Sequence, residues 1–581
     1  MSLAHPTFEA PGWRWLKDRF WGLERAFERA RAAGRAEDDT RIRIFFVLAL
    51  FAAGFATLAV GATRAALFSD ALGGGGRGAY AGASRADLVD RNGALLAADL
   101  LHYGLYLDPR EIWDTAETRR VLMAALPNLS HGRLERALRA ERRVFLTGGL
   151  TPEARARIHA LGLPGVTFEP EERRVYPLGQ TAAHLIGFSD TGGKGLAGAE
   201  LALNDTVREA APASGNVALS IDLRVQAALE DELFRAAEAH QAKGAVGIVT
   251  NVHTGEILGV ASYPTFDPNV AGRADPEALI NRAAASVYEM GSTFKVFTVA
   301  LGLDSGTATL ATTFDARAPL VMAGRTIHDY HAENKVMSVA DIFMHSSNIG
   351  TTKLALQAGS ETVQKYYRAF GLLSAAPVEL NESARPILPR RWDDNAVASS
   401  SFGHAISVSP LALAAGMGAI LNGGTYVPLT IRPVKPGAGP QGTRVVSEAT
   451  SRAMLDLMRI NVVRGTGGKA NAPGLRVGGK TGSAEKVING RYARSTLVSS
   501  FAAVFPTDGP LEADRYFVLI LLDEPKGTRE TYGFATGGWT AAPPAGRVID
   551  RIGPFLGVER RPDLIPVDKT FTPEQLGAFE G

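Results

Sequence analysis

With 581 residues and 46% hydrophobic content, the chain exceeds the usual ~100–200 residues of a single core and suggests two or three folded units. Its 62 basic and 60 acidic residues leave a net charge of +2, a balance that gives no reason to expect a nucleic-acid partner. Cysteine is absent, so packed cores rather than disulfides must stabilise those units.

Residues 1–43 form a basic arm with nine Lys or Arg, ending in Arg41 and Arg43. From Ile44 to Thr63 there follow 20 uncharged residues, which at about 1.5 Å per helical residue reach about 30 Å, the thickness of a bilayer core. The expected arrangement is a single-pass anchor at 44–63 with its basic arm in the cytoplasm and the rest of the chain outside. A cleaved signal peptide would have a shorter start and a shorter apolar run. Gly73 to Gly76 mark a linker over 64–84.

Beyond the linker, 85–215 alternates short apolar runs such as Leu100–Leu107 with charged helical stretches at Thr118–Leu126 and Pro152–Leu161. It carries no nucleophile motif and reads as a mixed α/β, non-catalytic pedestal. Arg85, Asp90, Arg91 and Glu200 are expected to form a buried ion-pair network joining it to the next unit. That unit, 216–569, opens with a strand at Val217–Ile221, a helix at Leu223–Ala239 and strands at Ala245–Asn251 and Ile257–Ser262. Strands return at Leu497–Val504 and Tyr516–Leu522. The simplest arrangement is α+β, a central antiparallel sheet flanked by helices, with an all-helical subdomain inserted. Residues 570–581 are left as a tail.

Three short motifs carry the chemistry. Ser292-Thr293-Phe294-Lys295 follows Gly291 and runs into an apolar stretch that reads as a buried helix. Ser346-Ser347-Asn348 and Lys480-Thr481-Gly482-Ser483 come later. Each is weak alone: a second Ser-x-x-Lys lies at Ser483–Lys486 and a second Ser-x-Asn at Ser214–Asn216. Only the first set gives all three in order, at gaps of roughly 50 and 130 residues, as in serine beta-lactamases and penicillin-binding proteins. A serine hydroxyl is a weak nucleophile until a base takes its proton. Lys295, one helical turn beyond Ser292, is placed to be that base. A free lysine has a pKa near about 10.4, so the role needs burial and a nearby positive charge, which Lys480 could supply. No His-Glu-x-x-His or paired-cysteine set exists, and neither metal nor cofactor is expected.

The chain resembles the class B penicillin-binding proteins from the anchor almost to the C-terminus. Before the nucleophile the likeness rests on Asp90-Arg91-Asn92-Gly93, Arg174-Val175-Tyr176-Pro177, Gly198-Ala199-Glu200 and Tyr288 to Lys295. Glu289-Met290-Gly291, Ile327 to His331, Phe402-Gly403-His404 and Gly537-Gly538-Trp539 look most like the division-specific branch in its alphaproteobacterial form. Met290 stands where proline is more common. The resemblance implies a serine-type D,D-transpeptidase that forms an acyl-enzyme on Ser292 from D-Ala-D-Ala stem peptides and is inhibited by beta-lactams. It implies that Ser346 passes a proton toward the leaving amine and that Asn348 holds Lys295 and the substrate amide. Thr481 and Ser483 would bind the substrate carboxylate from an edge strand, and Gly482 would let the substrate backbone approach. Backbone N–H groups of Ser292 and Ser483 would form the oxyanion hole, at about 3–4 kcal/mol per donor. Tyr330, Phe402 and Trp539 are expected to pack or line the cleft, as is His404. Implied partners are a polytopic septal glycan polymerase and other division proteins. An elongation-specific transpeptidase, a hydrolase and an idle scaffold or antibiotic sensor are the competing readings.

Overall fold

The computed structural model describes residues 85–561, apart from 214, 323, 436–441 and 489, together with scattered positions between 21 and 55. But for those positions, the basic arm, the span expected at 44–63, the linker and the tail lie outside the described residues. Among the described residues no helix is long and apolar enough to cross a membrane.

The N-terminal sheet comprises β1 (Asp87–Val89), β2 (Leu95–Leu107), β3 (Val144–Leu150), β4 (Val166–Val175) and β5 (Asn216–Ala218). The long β2 is its spine, antiparallel to β1, β3 and β4, while β5 joins β1 in parallel. The two expected helical stretches are Thr115–Ala125 and Pro152–His159, N-capped by Asp114 and Thr151. A small core of Leu105, Leu107, Leu122, Leu134, Leu146 and Ile158 lies beneath them. The strand expected at Val217–Ile221 is the shorter β5 and belongs to this sheet. Beyond it Leu219 N–H donates to Val89 O and Ser220 N–H to Ile431 O, which turns the chain away.

Arg85, Asp90, Arg91 and Glu200 do not form the single network expected of them. Glu200, fully buried, accepts from Arg85 Nε at 2.8 Å and from Arg174 Nε at 2.7 Å, and Arg174 also reaches Asp99. This cluster stays inside the N-terminal region. The Asp90 and Arg91 side chains sit at the β1–β2 turn and face the other way: Asp90 accepts from Leu223 N–H at 3.1 Å, and Arg91 lies 3.5 Å from Glu256. Tyr176 and Asn269 add a reciprocal pair of 2.9 Å bonds between the two regions.

In the second region α1 (Leu223–Ala239), capped by Asp222, precedes β6 (Gly244–Asn251) and β7 (Ile257–Tyr263). Much later come β8 (Gly478–Ile488), β9 (Arg491–Phe505) and β10 (Tyr516–Asp523). They form one five-stranded antiparallel sheet in the order β8-β9-β10-β6-β7. Alternate residues serve opposite faces, and both faces are apolar. Val246, Ile248, Leu519 and Leu521 face one core, which holds α2 (Lys295–Asp304) and the wholly buried α3 (Pro410–Leu421). Val249, Val518, Ile520 and Leu522 face the other, with α1 and the C-terminal helix Ala542–Ile552. Among the described residues the section between β7 and β8 consists of helices and connecting loops with three short two-stranded ladders, such as Thr313–Asp315 with Val336–Ser338. The inserted subdomain is therefore not all-helical.

Replacing Glu200 with Ala would leave two buried guanidinium groups facing each other. We expect a loss of about 3–5 kcal/mol, read as a lower melting temperature with proteolysis beginning within residues 85–215; an unchanged melt would show that the cluster contributes no net stability.

Candidate active site

Glycine at 291 decides where the nucleophile motif begins. At φ +56 its backbone lies in the left-handed region, and a Cβ there would stand 2.6 Å from Ser483 O. The turn Gly291–Phe294 can therefore abut β8 and pass directly into α2. Ser292 is partly exposed at this turn, while Lys295 is fully buried.

The second motif is the joint between two helices. Val339–Met344, held by a capping box of Ser338 and Asp341, ends at His345; Asn348–Ala358 begins with Ser347 as N-cap, accepting from Gly350 N–H at 3.0 Å. Between them Ser346 takes φ +58, a strained conformation for a residue with a Cβ. Asp329 braces the joint, accepting from Ser347 Oγ at 2.7 Å and from Ile349 N–H at 2.9 Å.

Both buried lysines converge on this joint. Lys295 Nζ donates to the Ser346 carbonyl and to Ser346 Oγ at 3.1 Å, and Lys480 Nζ donates to the same Oγ at 2.9 Å. Burial pushes the Lys295 ammonium well below the ordinary lysine range, and the neighbouring charge of Lys480 pushes it further, against the opposing pull of Asp329. Burial alone brings Lys480 down to about 7. Both ammonium forms are disfavoured here, and Lys295 carries the added penalty of the Lys480 charge.

Strand β8 lies at the sheet edge, as expected for Lys480–Ser483. Thr481 and Ser483 line a cavity of about 920 Å³ with Ser292, Ser346 and Asn348. Thr481 Oγ1 shares a 2.9 Å bond with Thr466, and Ser483 Oγ accepts from Gly537 N–H at 3.0 Å. Around them stand Tyr330, Phe402, His404 and Trp539, all on the cavity wall. Trp539 stacks on Phe534, and Lys469 Nζ lies 4.0 Å over its ring. Burial pushes the His404 imidazole down to about 4, so it is neutral at physiological pH.

Three placements differ from the sequence reading. Lys295 is bonded to Ser346, not to Ser292. The Asn348 amide nitrogen donates to His328 O at 2.9 Å, and among the described residues no hydrogen bond joins Asn348 to Lys295. Gly482 is buried, and a Cβ there would collide with Ser500 Oγ and Met290 O; the glycine lets β9 and the Ser292 turn pack closely. Asp329 belongs to the Ile327–His331 stretch that carries the family likeness, but its bracing role becomes visible only with the helix joint it holds.

Residues 245–542 match the penicillin-binding protein transpeptidase domain, and residues 80–192 match the penicillin-binding protein dimerisation domain. The chain belongs to the penicillin-binding protein transpeptidase family. It is 60% identical over 96% of both chains to the probable peptidoglycan D,D-transpeptidase FtsI of Caulobacter vibrioides. It is 30% identical to the peptidoglycan D,D-transpeptidase FtsI of Escherichia coli, over 83% of this chain and 85% of that one. Penicillin-binding protein 3 of Mycobacterium tuberculosis, solved with aztreonam, shares the fold at a TM-score of 0.64 and 24% identity, covering 83% of this chain and 98% of that one.

Removing the Asp329 carboxylate by substitution with Ala would strip two acceptors from the helix joint. We expect about 2–3 kcal/mol of destabilisation and lost hydrogen-exchange protection at the Ile349 amide; full protection there would mean that something else holds Ser346 in its strained conformation.

Proposed function

We propose that this chain is a serine-type peptidoglycan D,D-transpeptidase of the division septum, anchored in the cytoplasmic membrane by residues 44–63. In this reading the arm 1–43 is cytoplasmic, residues 85–215 are the pedestal and 216–569 the catalytic unit on the outer side. A polytopic glycan polymerase and other division proteins are its partners. The observation that carries the chemistry is the convergence of Lys295 and Lys480 on the Ser346 hydroxyl beside the Ser292 turn.

The roles follow from the charges. Neutral Lys295 takes the proton of Ser292 Oγ as that oxygen attacks the penultimate D-Ala carbonyl. Ser346, bonded to both lysines, passes a proton onward to the departing D-Ala amine. Protonated Lys480 holds the field positive where the Thr481 and Ser483 hydroxyls meet the substrate carboxylate. Asn348, its nitrogen committed to His328, keeps its oxygen for a substrate N–H. The open edge of β8 offers backbone groups to an extended stem peptide, and the N–H groups of Ser292 and Ser483 stabilise the oxyanion. A neighbouring amine then resolves the acyl-enzyme, and a beta-lactam forms the same ester.

Labelling of membranes with a fluorescent penicillin tests this reading: the wild-type chain should take label and Ser292→Ala should take none. A folded wild-type chain without label would overturn it. A tagged chain spread along the lateral wall instead of collecting at the septum would overturn the division role alone.

The two lysines also set a pH profile. A lysine is cationic below its pKa, so the charge on Lys480 is lost as pH rises through about 7. Second-order acylation by a penicillin, which reports the free enzyme, should therefore decline above about pH 7, while protonation of Lys295 sets the acid limb lower down. Lys480→Arg should move the alkaline limb upward; an alkaline limb that stays where it was would assign it to another group.

A further inference from the structure

The edge strand carries a third side chain on the cavity face, and the chemistry above leaves it unused. Successive residues of a strand point to opposite faces. Thr481, Ser483 and Glu485 of β8 all line the cavity, while Gly482 and Ala484 between them are buried. The next residue, Lys486, is tied to Asp523 at 2.8 Å and to Glu524 at 2.7 Å. Glu485 is half-buried and makes no hydrogen bond or ion pair among the described residues. The other carboxylate on the described wall is Asp329, whose two oxygens are taken by Ser347 Oγ and Ile349 N–H. Two cations on the wall have other partners: Arg325 donates to Ser399 Oγ at 2.8 Å, and Lys469 lies over the Trp539 ring.

On the reading that a stem peptide laid along β8 acylates Ser292, we infer that Glu485 is a specificity-determining residue that pairs with a cationic side chain on the donor residue preceding the two D-alanines. With the terminal carboxylate at the Thr481 and Ser483 hydroxyls and the scissile carbonyl at the Ser483 N–H, the donor runs antiparallel to β8 and recedes toward Glu485. Both chains advance by about 3.4 Å per residue, which puts Glu485 about 7 Å beyond Ser483 along the strand. Each D-alanine offers only a methyl group, so the residue before them is the first whose side chain can reach the wall there. A lysine-type side chain spans the remaining gap on a flexible stem and ends in a point charge with three donors. A neutral end would leave Glu485 without that partner, and an acidic end would meet like charge. The half-buried carboxylate makes a stronger charge-assisted bond than a fully exposed pair would. No bond to the acyl group is altered, so the effect falls on how readily a given donor acylates Ser292.

The test uses the full-length chain in membranes and peptide donors whose terminal D-alanine is replaced by its thioester analogue, so that thiol release reports acylation. One donor carries lysine before the D-alanine, a second carries Nε-acetyl-lysine and a third carries glutamate. Fluorescent-penicillin labelling counts the molecules with a working Ser292, and each rate is taken per labelled molecule. For the wild-type chain we expect acylation about tenfold faster with the lysine donor than with its acetylated form. Glu485→Gln should bring the two to near equality, and Glu485→Lys should turn the preference toward the glutamate donor. A wild-type chain that accepts the lysine and acetyl-lysine donors equally would overturn the inference and leave the Ser292 chemistry intact. So would a lysine preference that survives in Glu485→Gln, which would assign the cation to another group such as Asp329. A wild-type chain that takes no label would overturn the transpeptidase reading and this inference with it.

Discussion

The site depends on two lysines buried within reach of one hydroxyl. Water would keep both protonated; a dry interior disfavours both, because each ammonium loses its hydration and Lys295 is pushed down further by the charge of Lys480. On the proposed reading that asymmetry separates the base from the fixed positive charge. Nothing about Lys295 or Lys480 alone would produce it. The arrangement needs Ser346 at a point where a single oxygen can meet both, and the left-handed conformation at residue 346 places it there.

That constraint explains several features that otherwise look incidental. Ser346 can be held in a strained conformation because helices on both sides are capped rigidly and Asp329 bonds the residues that follow. Ser292 can face an edge strand because positions 291 and 482 carry no side chain where the turn and the strand meet. The edge strand is rigid because its inner neighbours carry apolar residues on both faces and are covered on both sides. Each requirement is local, yet together they fix the relative positions of groups about 50 and 130 residues apart in a fold of this size.

Much of this was legible in the sequence. The helix at Leu223–Ala239 and the strands at 244–251, 257–263 and 516–523 follow directly from apolar period and turn residues. The edge position of Lys480–Ser483 is what the family resemblance implies, and the strand lies at the sheet edge. What escaped was set by tertiary geometry. Periodicity cannot tell whether a short strand such as Asn216–Ala218 pairs with the sheet before it or after it. A motif spacing cannot say that Lys295 prefers Ser346 to Ser292, that the Asn348 amide turns to His328, or that Gly482 faces packed side chains instead of the cleft. Those outcomes depend on which polar partner happens to lie within 3 Å once the helices have docked. Arg85 and Glu200 are buried as their sequence context implies, but that context does not show that Arg174 and Asp99 complete their cluster and that Asp90 and Arg91 turn elsewhere.

The N-terminal region meets the catalytic sheet on the side away from β8. Its grip falls on the stretch that leads into the nucleophile: His184 and Phe188 pack edge-on against Phe266, Tyr176 and Asn269 exchange hydrogen bonds, and His184 Nε2 lies 2.8 Å from Ala278 O. Burial pushes the His184 imidazole down to about 4 and so keeps it neutral, which suits a nitrogen donating to a buried carbonyl. Beyond this stretch Tyr288 is bridged to Val408, and Glu289 accepts from Ala405 N–H just before Gly291 and Ser292. From Asn269 to Ser292 the chain is thus pinned at intervals, first by the N-terminal region and then by the helical section. The N-terminal region thereby fixes the path of the segment that leads to Ser292, which makes its packing part of the geometry of the site.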